Sequence, residues 1–275
     1  MQNLAWLSHA IFQLEPHPEA RTFARLLLDA ATGTRFAHLL APDDELLPAT
    51  QQKLSDWLQR AKEGEPLPYI LGNAPFFGRD WQVEAGVLIP REETELLVEA
   101  VLQHAPEAAK IAEMGTGSGI IAGTLSLERP DWNIFATELS PLARSVASRN
   151  FESLGARVHL IEARDNDWLG PIETFAPFDC IASNPPYIAS GEIEKLQHSV
   201  RDFEPHLALD GGEDGLNPYR QIAARGRDSL RQGGFVALEV GWDQKVAIEL
   251  LFENWTRLEW KFDWAGIART ALLWK

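Results

Sequence analysis

Asn184-Pro185-Pro186-Tyr187 follows directly on the apolar stretch Phe178–Ser183. Two consecutive prolines cannot continue a strand, because each lacks an N–H and has a fixed φ. The chain must leave the sheet there as a stiff loop. Asn184 then sits at the carboxyl end of a strand, where open α/β sheets bind ligands. The loop offers a side-chain amide, the carbonyls of Pro185 and Pro186, and the ring of Tyr187. None of these groups titrates near neutral pH. The set suits the gripping of a planar –NH2 group better than acid/base chemistry.

A second motif lies upstream. Lys110-Ile111-Ala112-Glu113-Met114 is a short strand candidate. Gly115-Thr116-Gly117-Ser118-Gly119 follows it, and Ile120–Leu125 reads as a helix start. Glycines at alternate positions let the backbone turn tightly and approach a ligand closely. The dinucleotide fingerprint needs its third glycine three residues after the second. The spacing here is Gly-x-Gly-x-Gly, which favours a small-molecule platform over a pyrophosphate cradle. Trp132–Thr137 is another strand candidate, and it ends at Glu138. A carboxylate in that place can accept hydrogen bonds from ribose hydroxyls. Taken alone, Glu138 also fits an ordinary surface glutamate ahead of a helix that Ser140 caps and Pro141 opens. The glycine loop one βα unit upstream favours the ribose role.

These residues need a sheet to hold them. From 110 onward, strand candidates (110–114, 132–137, 157–161, 178–183, 233–240, 257–262, 269–274) alternate with helix candidates (118–128, 140–153, 216–231, 243–253). That alternation predicts an α/β fold with a mostly parallel sheet covered on both faces. The last two strands leave no room for a crossover helix, so they pair antiparallel. Residues 1–63 lack strand alternation, and a small all-helical N-terminal domain is predicted over 1–72. Its apolar positions at helical spacing are Leu4, Leu7, Ile11 and Leu14, then Phe23, Leu26, Leu27 and Ala30, then Leu54, Trp57, Leu58 and Ala61. Such a domain either completes a core or recognises a substrate. Residues 73–90 read as a hairpin bridge, with turn chemistry at Gly78-Arg79-Asp80. Pro90 is predicted to open a helix toward His104, within a third region, 91–275.

Bulk composition sets limits. The chain has 275 residues, 45% hydrophobic, enough for a sizeable core. Its net charge of −15 disfavours a nucleic-acid substrate, since phosphate neutralisation dominates that affinity. The single cysteine, Cys180, excludes an intramolecular disulfide and reads as a buried strand thiol. Seven histidines show no metal-site spacing, so no metal is expected. There is no run of apolar residues long enough for a membrane span and no signal-peptide pattern. A cytoplasmic enzyme is expected.

The glycine loop, Glu138 and the closing antiparallel hairpin resemble the Rossmann-like S-adenosylmethionine-dependent methyltransferases. Asn184-Pro185-Pro186-Tyr187 is similar to the signature of their amino-group methylating branch. Leu67-Pro68-Tyr69-Ile70-Leu71-Gly72, Phe76, Val87-Leu88-Ile89-Pro90-Arg91 and Glu93-Thr94-Glu95 narrow the match. So do Phe203-Glu204-Pro205, Ala208-Leu209, Gly212-Glu213-Asp214-Gly215-Leu216, Leu238-Glu239, Gly241 and Gln244. Together they resemble the peptide chain release factor N5-glutamine methyltransferase family over nearly the whole chain. Glu113 and Glu138 stand where that family usually has Asp, and Glu92 where it usually has a second proline.

The resemblance implies a seven-stranded methyltransferase sheet and methyl transfer from S-adenosyl-L-methionine to a glutamine side-chain nitrogen in a release factor. It implies that Gly115, Thr116, Gly117, Ser118 and Gly119 hold the cofactor's amino-acid part, with Glu113 attracting its ammonium and Glu138 binding the ribose. Asn184 Oδ1 and the Pro185 carbonyl would accept the two amide N–H groups, flanked by Pro186 and Tyr187. Trp168 either lies near the adenine or is a core or rim aromatic. Arg91 either docks substrate or pairs with a nearby glutamate. A monomer is expected. Two other readings stay open: a glutamine methyltransferase acting on a ribosomal protein, and a nucleic-acid amino-group methyltransferase. The acidic balance and the absence of Lys/Arg clustering near 184–204 weigh against the second.

Overall fold

The computed structural model describes residues 1–164, 167 and 169–275. The chain divides into two units. One comprises 1–73 with 197–203, and the other 74–196 with 204–275.

The first unit is helical: α1 (Asn3–Leu14), α2 (Ala20–Thr32), α3 (Ala37–Leu40), α4 (Pro48–Lys62) and α5 (Leu67–Leu71). The buried face of α1 is Asn3, Trp6, Leu7, Ala10 and Leu14. Leu4, expected in that stripe, is exposed. Trp6 carries more apolar area and turns the helix so that its own face is covered. Leu27, Leu28, Leu54 and Leu58 complete the core with Ile70 from α5. Pro48 opens α4, where its missing N–H would have no helical partner in any case.

A hairpin follows, β1 (Asn73–Phe76) and β2 (Arg79–Gln82), all but its first residue in the second unit. Its turn is Phe77-Gly78, one residue earlier than expected, with φ of 50° and 71°. Two positive φ values match the natural twist of a two-residue hairpin. Helix α6 (Thr94–His104) starts four residues after Pro90, not at it. The N–H groups of Thr94, Glu95 and Leu96 each bond three residues back, to Arg91, Glu92 and Glu93. Residues 91–93 are thus a tight turn leading into the helix. Glu95 does not merely oppose the helix dipole. Its Oε1 accepts the Phe77 N–H at 2.6 Å and ties the hairpin down.

The remaining elements alternate. They are β3 (Lys110–Met114), α7 (Ile120–Glu128), β4 (Asn133–Glu138), α8 (Pro141–Leu154), β5 (Val158–Glu162), α9 (Gly170–Glu173) and β6 (Phe178–Ser183). A 3₁₀ segment (Ser190–Lys195) follows. Then come α10 (His198–Arg201), which groups with the first unit, α11 (His206–Leu209), α12 (Asn217–Arg225), β7 (Leu230–Glu239), α13 (Lys245–Leu251), β8 (Arg257–Phe262) and β9 (Ala268–Trp274). The sheet order is β5-β4-β3-β6-β7-β9-β8. All pairs are parallel except those made by β9. This is the expected seven-stranded sheet with its reversed strand.

The central strands are buried on both faces, and successive residues feed opposite layers. Ile111, Ile134, Cys180 and Phe235 face one layer. Ala112, Phe135, Ile181 and Val236 face the other. In the first layer Trp81 of β2 lies against Gly123 of α7. A Cβ at 123 would come within 2.5 Å of the indole. Glycine in the middle of α7 lowers helix propensity, but here it admits the tryptophan. The hairpin is thereby seated on the helix that follows the glycine loop.

Candidate active site

Parallel register brings three strand ends together. Met114 pairs with Thr137, and Glu113 with Ala182. Ser183 Oγ donates to the Met114 carbonyl at 2.7 Å. The glycine loop, Glu138 and Asn184 therefore leave the sheet along one edge, at the carboxyl ends of its strands. A cavity of about 580 Å³ opens there, walled by Gly115, Gly117, Glu138, Asn184 and Pro186 among others.

Each glycine of the loop has positive φ: 71° at Gly115, 57° at Gly117 and 88° at Gly119. L-residues with a Cβ adopt that region rarely. At Gly117 the space a Cβ would take is open, so backbone faces the cavity there. Thr116 and Ser118 are buried. Their side chains and carbonyls hold the loop: Thr116 Oγ1 donates to Glu113 Oε2 at 2.5 Å, and the Ser118 carbonyl accepts Asn150 Nδ2 at 2.8 Å. Asn150 also pairs with both backbone groups of Gln82. One buried amide thus links the hairpin to the loop, a role no sequence motif announced.

Glu113 is buried and is not on the cavity wall. Its Oε2 also accepts the Ala122 N–H at 2.9 Å, while Oε1 is buried without a partner among the described residues. Burial pushes its carboxyl up to about 7, with the Thr116 and Ala122 bonds pulling the other way and Glu138 adding to the rise. Glu138 does line the cavity. Its Oε2 accepts the Gly117 N–H and its Oε1 the Ser140 N–H, both at 2.8 Å. Each carboxylate oxygen has two lone-pair directions. Counting the described residues, one per oxygen remains for a pair of ligand hydroxyls.

Asn184 is half-buried and lines the cavity. Its Nδ2 donates to Thr94 Oγ1 at 3.3 Å. Among the described residues none donates to Asn184 Oδ1 or to the Pro185 carbonyl. The loop beyond is clamped. Ile188 exchanges backbone bonds with Leu209 and Gly211, and Gln244 Nε2 donates to the Tyr187 carbonyl at 2.9 Å. A Cβ at Gly211 would fall 2.7 Å from the Pro186 carbonyl oxygen, and one at Gly215 would fall 2.3 Å from that of Tyr187. Those glycines let a second backbone segment press against the proline loop and hold it. Tyr187 packs into the apolar layer with Tyr219, and burial raises its hydroxyl pKa further. It stays neutral.

Arg91 forms an ion pair with buried Glu204, whose other oxygen accepts the Ile89 N–H at 3.2 Å. This staples residues 89–91 to the start of the segment that walls the cavity. Trp168 lies outside the described residues. Arg164 and Asp167 nearby are on the cavity wall. Sequence motifs did not assign roles to Asn150, Gly211, Gly215 or Gln244. Gly215 and Gln244 entered only through the resemblance.

Comparison with known proteins bears on the family and the fold. The family model described as the PrmC N-terminal domain matches residues 5–72, and that of the methyltransferase small domain matches 92–212. The chain is 38% identical to the release factor glutamine methyltransferase of Koribacter versatilis (strain Ellin345), over 93% of this chain and 91% of that protein. It is 42% identical to the protein of the same name from Neisseria gonorrhoeae, over 90% and 91%. In fold it is similar to the crystal structure of a methyltransferase from Pyrococcus furiosus. That match has a TM-score of 0.54 and 19% identity, and covers 83% of this chain and 98% of that one. With a methyltransferase sheet, a strand-end cavity and relatives of this identity along almost its full length, the chain belongs to the release factor glutamine methyltransferase family.

Proposed function

We propose that this protein transfers a methyl group from S-adenosyl-L-methionine to the side-chain amide nitrogen of a glutamine in peptide chain release factors. The observation that carries the reading is Asn184, which lines the glycine-loop cavity on a clamped loop with its Oδ1 bonded by no donor among the described residues; the buried Pro185 carbonyl beside it is likewise without a donor there. An amide nitrogen is a poor nucleophile because its lone pair is delocalised. Two fixed acceptors, one for each N–H, orient the group and favour pyramidal character at nitrogen. This is orientation with preorganised electrostatics. No loop side chain titrates near neutral pH, so Asn184 and Pro185 hold the protons without removing them before attack, and the nitrogen releases one proton to solvent once it carries the methyl group. Tyr187 stiffens the loop as a neutral, half-buried ring.

The donor supplies an electrophilic methyl on a positively charged sulfur. The residues present fit it. Gly115 and Gly117 offer bare backbone, with Thr116, Ser118 and Gly119 shaping the loop around the amino-acid portion. Glu138 has lone pairs left for two ribose hydroxyls. Glu113 braces the loop from behind through Thr116 and Ala122. Arg91 orders the cavity's rim through Glu204. The helical unit is assigned the recognition of the release factor. A net charge of −15 supports a protein substrate over a nucleic acid. The enzyme is taken to act as a cytoplasmic monomer, where translation factors are met. No helix among the described residues is long and apolar enough to cross a membrane.

The test is incubation with labelled donor and a purified release factor, followed by peptide mass spectrometry. One added methyl group on a single glutamine is expected, and none on a release factor with that glutamine replaced by alanine. Label appearing in ribosomal protein or RNA from an extract, with the release factor unlabelled, would overturn the reading.

A further inference from the structure

Asn184 has two ends to its amide, and among the described residues only one of them is committed. Nδ2 donates to Thr94 Oγ1 at 3.3 Å. Thr94 is fully buried, and its hydroxyl donates to Glu239 Oε2 at 2.6 Å. A hydroxyl has one proton to give. Once that proton points at the carboxylate, Thr94 Oγ1 can only accept from Asn184. The amide must then turn its NH2 toward Thr94 and leave Oδ1 on the opposite side. An amide rotated by half a turn would meet an incoming –NH2 group with a second –NH2 group, donor against donor.

Neither partner lines the cavity. Thr94 is the first residue of α6 and Glu239 the last of β7. A carboxylate buried to this degree is unfavourable unless it is hydrogen-bonded and balanced by charge. The groups around Glu239 come from every neighbouring element. They are Thr94 at the start of α6, Glu93 and Arg91 in the turn before it, Arg269 of β9, Tyr187 of the proline loop and Tyr219 of α12.

We propose that Thr94 and Glu239 are positioning residues for methyl transfer, holding the Asn184 amide in the one orientation that leaves Oδ1 free to accept. This deepens the function proposed above and rests on it. Neither residue touches substrate; both act through Asn184. The arrangement also has a direction that can be reversed. Burial lifts the Glu239 carboxyl to about 7, with Glu93 adding to the rise and Thr94, Arg91 and Arg269 opposing it. A protonated Glu239 can donate to Thr94 Oγ1. Thr94 then has its own proton free for Asn184 Oδ1, and the amide loses its preferred sense. Above that pH the carboxylate accepts and the orientation is fixed. Turnover should therefore fall as pH drops through about 7.

Three variants test this: Thr94→Val, which keeps shape without a hydroxyl, Thr94→Ser, which restores one, and Glu239→Gln. For Thr94→Val the expected result is a kcat lowered about tenfold to a hundredfold, the scale for outer partners of a functional group. KM and donor affinity should stay near wild type, and Thr94→Ser should recover most of the loss. In Glu239→Gln the acidic limb of the kcat–pH profile should disappear. A second readout needs no turnover. The side-chain amide resonances of Asn184, assigned by their loss in Asn184→Ala, should shift with a midpoint near pH 7 in wild type and not in Glu239→Gln. Wild-type kcat in folded Thr94→Val, equal loss in Thr94→Ser, or amide resonances that ignore pH would each overturn the proposal. If Thr94→Val does not fold, Thr94→Ser and the resonance titration decide. A wild-type enzyme that methylates no release factor but shows the titration would contradict the substrate instead.

Discussion

At the scale of single residues, the places of Asn184 and Glu138 at strand ends on the cavity wall were legible because they are tied to local geometry. A proline pair ends a strand, and a carboxylate ends another, whatever the rest of the chain does. The residues that aim them were not legible in the same way. Thr94 and Glu239 are 145 positions apart, and their bond forms only when α6 is laid beside β7. Asn150 and Gln82 lie 68 apart. A polar residue inside a helix or strand pattern carries no mark of its distant partner. Glu138 offers a prediction at this scale. Its carboxylate holds Gly117 and Ser140 and is assigned the ribose hydroxyls. Glu138→Ala should weaken donor binding by about tenfold or more, as expected for loss of hydrogen bonds to a charged group. Titration calorimetry checks it, and unchanged affinity in a folded variant would remove Glu138 from the ribose site.

At the scale of elements, strand–helix alternation announced the sheet because central parallel strands are apolar throughout and their crossovers are helical. The reversed strand β9 followed from simple lack of room before it. Boundaries were less legible where tertiary bonds override local rules. Pro90 fits helix position N1 by propensity, yet the Ile89 N–H is taken by Glu204 and the helix waits until Thr94. The hairpin turn moved to Phe77-Gly78, because Trp81 must reach Gly123 and fixes the register. The α1 stripe shifted because Trp6 and Ala10 carry the buried face and Leu4 does not. Segment 197–203 groups with the N-terminal helices, where the His198 ring lies against Gly64. Contact between residues so far apart has no local signature.

At the scale of the whole molecule, two buried glutamates set how stability responds to pH. Glu113 and Glu239 both titrate at about 7 in the native state, against a reference of 4.5. The folded protein keeps protons there that the unfolded chain has released. The resulting stabilisation is complete below about 4.5 and is lost as pH rises through about 7. His104 works in the opposite sense, since burial lowers its pKa below 6.5. The aspartates that are paired with Arg129, Arg201, Arg220 and Arg269 are held low, and their contribution is already complete in this range. Between pH 6 and 8 each glutamate should cost about 1.4 kcal/mol, and His104 offsets part of the sum. The unliganded protein should melt about 3–6 °C lower at pH 8 than at pH 6, by scanning calorimetry. Glu113→Gln should remove roughly half of that difference. A higher melting temperature at pH 8 would contradict the burial of these carboxyls as charged-state penalties.

The central claim is that Asn184 Oδ1 grips the substrate amide beside the bound donor. Single-turnover methylation of a release factor by Asn184→Ala, with donor affinity measured in parallel, tests it most directly. The account predicts a rate at least about a hundredfold below wild type, the scale for one oriented polar group, with donor affinity little changed. A rate near wild type, or a loss explained entirely by weaker donor binding, would contradict it.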